Sequence, residues 1–441
     1  MGLTSLVYMV LFAVGIILTL YHPMYGVVFY FFEWHNHPRE WWWGRNWPDP
    51  GWSFLVAVLI VISLIINRKK LSELFEFHYK PFIWFILIVI NAYVVSLVLA
   101  LDPSESFRKS EVLLKLAANY FLMIYIIRNP KDYKLLIFVI LLCVANFGRV
   151  AWMGGSNRDL GISAPGASSG NLVAAYMMSI VPLFAVSFFA GNKWMKAFVI
   201  ISLAFVLNAL ILENSRGTIL GLASMGALAP FLMKGKMRFK VIIALAFGAI
   251  MFMQLANEQF WERQSTTVKY KQESTAMSRF LLWKGAYRFL QDHPFGGGGE
   301  GFYIASVDYI PELGGVNRVV HNTYLNFATD WGYFGIFLLL GFIIHTYVIL
   351  RKVQKNAKKV PNSSFYYFHS IGLLLALTGT LVSYIFYSRQ YQEHLYWFCA
   401  FAVALWNMQL TDIKKTETAA EEGLLENNKE ESININLHPA S

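Results

Sequence analysis

The sequence predicts an all-α protein threaded through a membrane by about twelve helices, with one large external loop carrying short helices of its own. Three observations predict it. Of the 441 residues, 56% are hydrophobic and 15% charged, whereas a domain that coats itself for water carries about 25% charged residues. Mean hydropathy is +0.45. Apolar runs of roughly 17 to 25 residues recur along the chain, the length a helix needs to satisfy its own backbone within lipid.

Taken in order, the runs lie near residues 4–32, 52–67, 82–101, 111–127, 133–150, 172–190, 194–213, 216–233, 238–256, 322–350, 366–387 and 394–410. The first is interrupted at His22-Pro23 and reads either as one broken span or as a short hairpin. Neither a basic leader nor a small-residue cleavage site marks it as a signal peptide. Basic clusters follow at Arg68-Lys69-Lys70, Arg128 to Lys134, Lys193 to Lys196, Lys234 to Lys240 and Arg351 to Lys359. With these spans every cluster falls on one side, the side that retains positive charge and is therefore cytoplasmic. The segments 34–51, 102–110, 151–171, 257–321 and 388–393 then face outward. Both termini are cytoplasmic if the first run crosses once.

The chain thus divides into N-terminal helices over 1–256, an external loop over 257–321, C-terminal helices over 322–410, and a tail over 411–441. The tail holds seven acids and three lysines without apolar periodicity and is predicted to be disordered. The net charge of +10 becomes +14 once the tail is set aside. Orientation explains most of that charge, and no basic stripe on a polar domain points to nucleic acid. The hydropathy halves show no inverted symmetry of the transporter kind. Two cysteines, Cys143 and Cys399, both inside apolar runs, exclude a disulfide framework and a cysteine-built zinc site.

At about 65 residues, the loop over 257–321 far exceeds an ordinary connection, and loops of that length are generally functional or disordered. Its segment from Met277 to Leu290 has helical apolar spacing and stops before Pro294, which predicts an amphipathic helix with Arg279, Trp283 and Ala286 on one face. Gly296, Gly298 and Gly301 formally satisfy G-x-G-x-x-G. No strand precedes them, so the cluster reads as a tight turn allowing close backbone approach rather than a dinucleotide site. Around Trp41-Trp42-Trp43 the loop 34–51 is dense in tryptophan, which favours an interfacial aromatic belt over glycan stacking. His35 and His37 alone do not make a zinc site.

Ser215-Arg216-Gly217 opening a span, Ser278-Arg279 to Trp283, His293-Pro294 with the glycine cluster, and His321-Asn322 occur in an order that resembles the O-antigen ligase and O-antigen polymerase superfamily of bacterial envelope enzymes. The resemblance covers roughly residues 140–350. The N-terminal stretch with Pro23, Gly26 and Trp41-Trp42-Trp43 looks like the exosortase-associated O-glycosylation ligase subgroup. The family moves a glycan from an undecaprenyl diphosphate carrier to a hydroxyl of a lipid A core, another glycan or a protein. The resemblance therefore implies a bacterial inner-membrane glycosyltransferase with its site facing the periplasm. Its partners would be the carrier-linked glycan, an acceptor and membrane lipids. Carried over residue by residue, Arg216 and Arg279 become diphosphate ligands and His321 the base.

The chemistry suits these residue types. Release of a lipid diphosphate leaves negative charge that a cation must stabilise as it develops, and arginine binds such oxygens bidentately while always ionised. None of the eight aspartates pair as Asp-x-Asp, so neither metal nor other cofactor is expected. An acceptor hydroxyl loses its proton as it attacks, and histidine titrates in the useful range. Arg158, Arg288, Arg318, Asp330 and Trp283 are candidate substrate-binding residues, and Arg149 and Arg389 also lie near the outer side. His293 reads as a helix terminator. A polymerase of the same superfamily is the alternative within the class. A polysaccharide flippase or transporter is the alternative outside it, and it would spread its charges along a mid-membrane pathway instead of gathering them at one face.

Overall fold

The computed structural model describes residues 2–71, 75–154, 160–167, 169–256, 258–265 and 274–437. Sixteen α-helices make up most of it: α1 (Leu3–Tyr21), α2 (Pro23–His35), α3 (Trp52–Ile66), α4 (Lys80–Val98), α5 (Pro103–Ile126), α6 (Pro130–Gly154), α7 (Gly170–Ala190), α8 (Lys193–Glu213), α9 (Arg216–Leu232), α10 (Lys236–Leu255), α11 (Glu258–Ser265), α12 (Ser274–Asp292), α13 (Gly301–Tyr309), α14 (Thr323–Asn356), α15 (Ser363–Ser383) and α16 (Glu393–Leu437). The one β feature among the described residues is an isolated bridge between Ala164 and Ala167. Every predicted apolar run is helical, and the all-α, multi-pass membrane architecture holds. Eight helices combine the length and hydropathy of a full span, and α3 and α9 are apolar but shorter.

The first run is two helices. Pro23 has no N–H to continue α1 and pushes His22 out of the helical region. His22 is extended, and its ring nitrogen accepts from the Met24 N–H at 3.2 Å to cap α2. The two helices return on each other, with the Phe12 and Phe29 rings 4.9 Å apart edge to face. Close packing there requires Gly15, where a Cβ would sit 2.5 Å from the Phe29 ring.

This hairpin changes the sidedness of the N-terminus. Ser5 Oγ donates to the Trp43 carbonyl at 3.3 Å, and Tyr8 packs 4.9 Å from Trp43. At the other end of α1, Lys70 Nζ donates to the Tyr21 carbonyl at 2.7 Å. The expectation of an N-terminus on the basic side depended on a single crossing. Instead it lies beside the 34–51 loop, opposite Arg68–Lys70.

The basic clusters share one end of the bundle. Arg128 donates to the Leu71 carbonyl, and Gln354 Nε2 reaches the Leu232 carbonyl at 3.3 Å. Between them, the His78 N–H meets Asn407 Oδ1 at 3.1 Å and Gln409 Nε2 meets the Val353 carbonyl at 3.0 Å. At the tail, where the composition predicts disorder, α16 continues from Glu393 to Leu437. Lys414 to Glu421 are exposed, and Lys414 Nζ donates to Glu76 Oε1 at 2.6 Å. Low apolarity removes tertiary packing, whereas runs such as Ala419-Ala420-Glu421-Glu422 are good helix formers by themselves.

The hairpin is testable by labelling with a membrane-impermeant maleimide, since both native cysteines are buried. Gly2→Cys and Arg45→Cys are expected to label from one side and Lys69→Cys from the other. Labelling of the first and third from the same side would contradict the fold.

Candidate active site

At the end opposite the basic loops, the organising feature is a break in α14. Gly332 has φ +74 and ψ 179, a positive-φ conformation open to glycine, and divides α14 into a short N-terminal piece and a long remainder. A break frees carbonyl and amide groups where there is little water to receive them. The glycine cluster receives them. Gly297 N–H donates to the Thr329 carbonyl at 2.9 Å, Gly298 N–H to the Asp330 carbonyl at 3.0 Å, and Tyr333 N–H to the Pro294 carbonyl at 2.9 Å. A Cβ on Gly296 would sit 2.5 Å from the Asp330 carbonyl oxygen, and Gly296 itself has φ +91. Close backbone approach is therefore the role of this turn, as its composition implies. The apolar run over 322–350 is a candidate span, as expected, and the structure adds the break at Gly332.

Asp330 ends the short piece of α14, fully buried. Its carboxylate accepts from the Glu300 N–H at 3.1 Å, Asn326 Nδ2 at 3.3 Å, Gln390 Nε2 at 3.1 Å and Tyr391 hydroxyl at 2.7 Å. Four donors fill it, so it acts as a tie between the glycine loop and the α15–α16 loop. Glu300 adds a second tie through Lys109 Nζ of α5, at 2.5 Å.

The α15–α16 loop, Tyr384 to Gln392, joins the two pieces that carry Arg216 and His321. Arg216 is the first residue of α9, where the helix dipole adds positive potential to its guanidinium. Ser215 before it and Thr218 after it hydrogen-bond the Tyr387 hydroxyl, the latter at 3.3 Å. A Cβ on Gly217 would come 3.0 Å from the Tyr387 ring. One residue on, Ser388 Oγ accepts from the His321 N–H at 3.1 Å and donates to Asn326 Oδ1 at 3.1 Å. Thr323 Oγ1 donates to the Tyr387 carbonyl at 2.6 Å.

His321 has φ +54, in the left-handed region where histidine is among the more tolerated non-glycine residues. Such a backbone persists only when its surroundings impose it, and here the Ser388 and Asn322 contacts do so. Asn322 caps α14 by accepting from the Tyr324 and Leu325 N–H groups at 3.0 and 3.1 Å. His321 is exposed as a residue, yet protein packed around its ring and then the charges of Arg279 and Arg318 hold the imidazole below its ordinary pKa. Those two arginines therefore lie near His321, one from α12 and one from the segment leading into α14.

The remaining candidates sit less centrally. Arg288 is exposed on α12. Trp283 is half-buried against the small apolar cluster of Leu282, Ala286, Phe289, Phe302, Ile310 and Val320. Arg158 lies outside the described residues. Arg149 is exposed and donates to Asn146 Oδ1 at 2.9 Å. In the 34–51 loop Trp34 and Trp41 are buried in the core, Trp43 and Trp47 are half-buried, and Trp42 is 63% exposed. His35 spends both ring nitrogens, on the Phe31 carbonyl at 2.6 Å and the Tyr176 hydroxyl at 2.7 Å. Among the described residues no group of three or more His, Cys, Asp or Glu side chains is placed to hold a metal ion.

Sequence reasoning missed the organising part of the α15–α16 loop. Tyr387-Ser388-Arg389-Gln390-Tyr391-Gln392 is a short polar connection between two apolar runs, and its only signal is that every residue in it can hydrogen-bond.

The fold and this junction define a multi-pass membrane protein with a polar, cationic site at one end of its bundle. The O-Antigen ligase family model matches residues 201–340, the segment from the middle of α8 through the first part of α14. That match supports the O-antigen ligase superfamily, the family indicated by the order of motifs from Ser215-Arg216-Gly217 to His321-Asn322. It encompasses Arg216, Arg279, Trp283, Arg288, Arg318, His321 and Asp330, whereas Arg389 lies beyond it. No curated protein matches the chain.

Gly332→Ala tests the break. The new methyl would collide with the Phe295 backbone at a φ that disfavours any side chain, a cost of about 2–4 kcal/mol. Purified protein is expected to unfold several degrees lower, and an unchanged melting temperature would contradict the account.

Proposed function

We propose that this protein is a glycosyltransferase that moves a glycan from an undecaprenyl diphosphate carrier to an acceptor hydroxyl on the periplasmic side of the bacterial inner membrane. The observation that carries the proposal is the convergence of His321 with Arg279 and Arg318, tied by the Tyr387–Ser388 link to the start of α9 at Arg216. In this reading Arg216 and Arg279 hold the diphosphate, and the N-terminus of α9 adds its partial charge. As the bond between sugar and phosphate breaks, the guanidinium groups stabilise the charge left on the departing diphosphate. His321 accepts the proton of the attacking acceptor hydroxyl. Its neighbouring arginines favour the neutral imidazole, the form able to take a proton. One displacement on the face opposite the leaving group inverts the anomeric centre. No metal takes part in this scheme.

The test is complementation of a deletion strain. Arg216→Ala, Arg279→Ala and His321→Asn are each expected to lower transfer by 100-fold or more, on the order of 3 kcal/mol or more in the barrier, while membrane insertion and protein level persist. Asparagine is chosen at 321 because it also tolerates the left-handed backbone. Full surface glycan from all three variants would end the proposal. The glycoconjugate lost from the deletion strain reports whether the acceptor makes the enzyme a ligase or a polymerase.

The pH dependence follows from the lowered His321 pKa. A base with a depressed pKa stays active down to a lower pH, and activity is lost as pH falls through the folded value. The acid limb of the rate profile is expected below the ordinary histidine value of about 6.5. Arg318→Gln removes one of the charges responsible and should move that limb upward. A limb that stays fixed in this variant would contradict the assignment.

A further inference from the structure

The α15–α16 loop carries a cation that its own fold does not satisfy. Arg389 is 4% exposed, and Nε, Nη1 and Nη2 all lack a hydrogen-bond partner. A buried arginine ordinarily spends its five N–H donors on carbonyls or carboxylates, because an unpaired buried charge costs several kcal/mol. The groups whose charges act on it are Tyr384, Tyr387 and Glu393. Glu393 forms no ion pair with it, and Glu393 Oε2 likewise has no donor. Burial pulls the guanidinium pKa down to about 10, so it still carries its charge at neutral pH.

Its backbone, by contrast, is pinned. The Arg389 N–H donates to Thr323 Oγ1 at 3.0 Å and its carbonyl accepts from the Gln392 N–H at 3.1 Å. The neighbouring Tyr387 and Ser388 reach the α9 start and His321 respectively. A residue whose backbone is held this firmly, and whose buried guanidinium has no acceptor, is organised for one that arrives.

We infer that Arg389 is an anion-binding residue that receives phosphoryl oxygens, a third guanidinium supplied to the site by the α15–α16 loop. The inference rests on the proposed function and adds to it a residue outside the segment that matches the family model. Such a ligand brings the acceptors that the fold withholds, and a diphosphate presents enough oxygens to be shared with Arg216 and Arg279.

The experiment measures thermal protection of the purified full-length protein in detergent by two probes, inorganic pyrophosphate and farnesyl diphosphate. Protection by both identifies the phosphoryl group as the ligand, and protection by farnesyl diphosphate alone identifies the lipid-linked form; either supports the inference when it depends on Arg389. Arg389→Met is expected to weaken binding about tenfold or more, with a ligand-free melting temperature equal to or above that of the parent, since it removes an unpaired buried charge. Arg389→Lys keeps the charge but loses the bidentate fork, and is expected to bind with intermediate affinity. Parental affinity in both variants would overturn the inference, as would a ligand-free melting temperature several degrees lower for Arg389→Met, the mark of a structural arginine. If Arg216→Ala loses protection while both Arg389 variants retain it, the inference fails and the proposed function stands. If the parent protein binds neither probe, the diphosphate reading itself fails.

Discussion

A helix broken inside a membrane must find partners for the backbone groups it frees, and the arrangement of this site follows from how α14 does so at Gly332. The partners come from the glycine cluster at the end of the α12 connection, whose lack of side chains lets main chain meet main chain. That contact brings the external segment from α12 to α13 down onto the bundle. It also sets Asp330 at the end of a short helical piece, where its carboxylate gathers the glycine loop and the α15–α16 loop. The strained backbone at His321 belongs to the same construction, since the residue opens that short piece and is steadied by Ser388.

The charges of the junction are segregated. Asp330 is filled by neutral donors and Glu300 by Lys109, so the anchoring acids are already occupied. Arg279 and Arg318 are close enough to His321 to bear on its protonation, Arg216 opens α9, and Arg389 waits in the adjoining loop. Several guanidinium groups beside acids that are tied into the fold at Asp330 and Glu300 are suited to a multiply charged anion.

The helical spans were legible in the sequence because they are set by composition over long windows. The glycine turn was also readable, since consecutive glycines have few other uses. The α1–α2 hairpin was only half legible: His22-Pro23 marks the interruption, but whether a chain continues or returns depends on Phe12 meeting Phe29, a contact without a local signature. Gly332 hides among Trp331, Tyr333 and Phe334 inside an apolar run, where a single glycine ordinarily passes as helix. Asp330 read as a possible sugar ligand because its four donors come from segments 4 to 61 residues away. Arg389 was visible only as an interfacial cation, since burial of a loop residue is decided by the helices around it. For the tail, a shortage of apolar residues speaks to packing and not to local helix formation.

The central claim is that an anionic carrier headgroup is received where α9, α12 and the broken α14 meet. The most direct measurement is a cryo-electron microscopy structure of the full chain in a lipid nanodisc with an added polyprenyl diphosphate. The account predicts diphosphate density within hydrogen-bond distance of the Arg216 and Arg279 guanidinium groups, on the His321 side of the Tyr387–Ser388 link. Diphosphate bound at the basic end near Arg68–Lys70, or guanidinium groups of Arg216 and Arg279 too far apart to share one ligand, would contradict it.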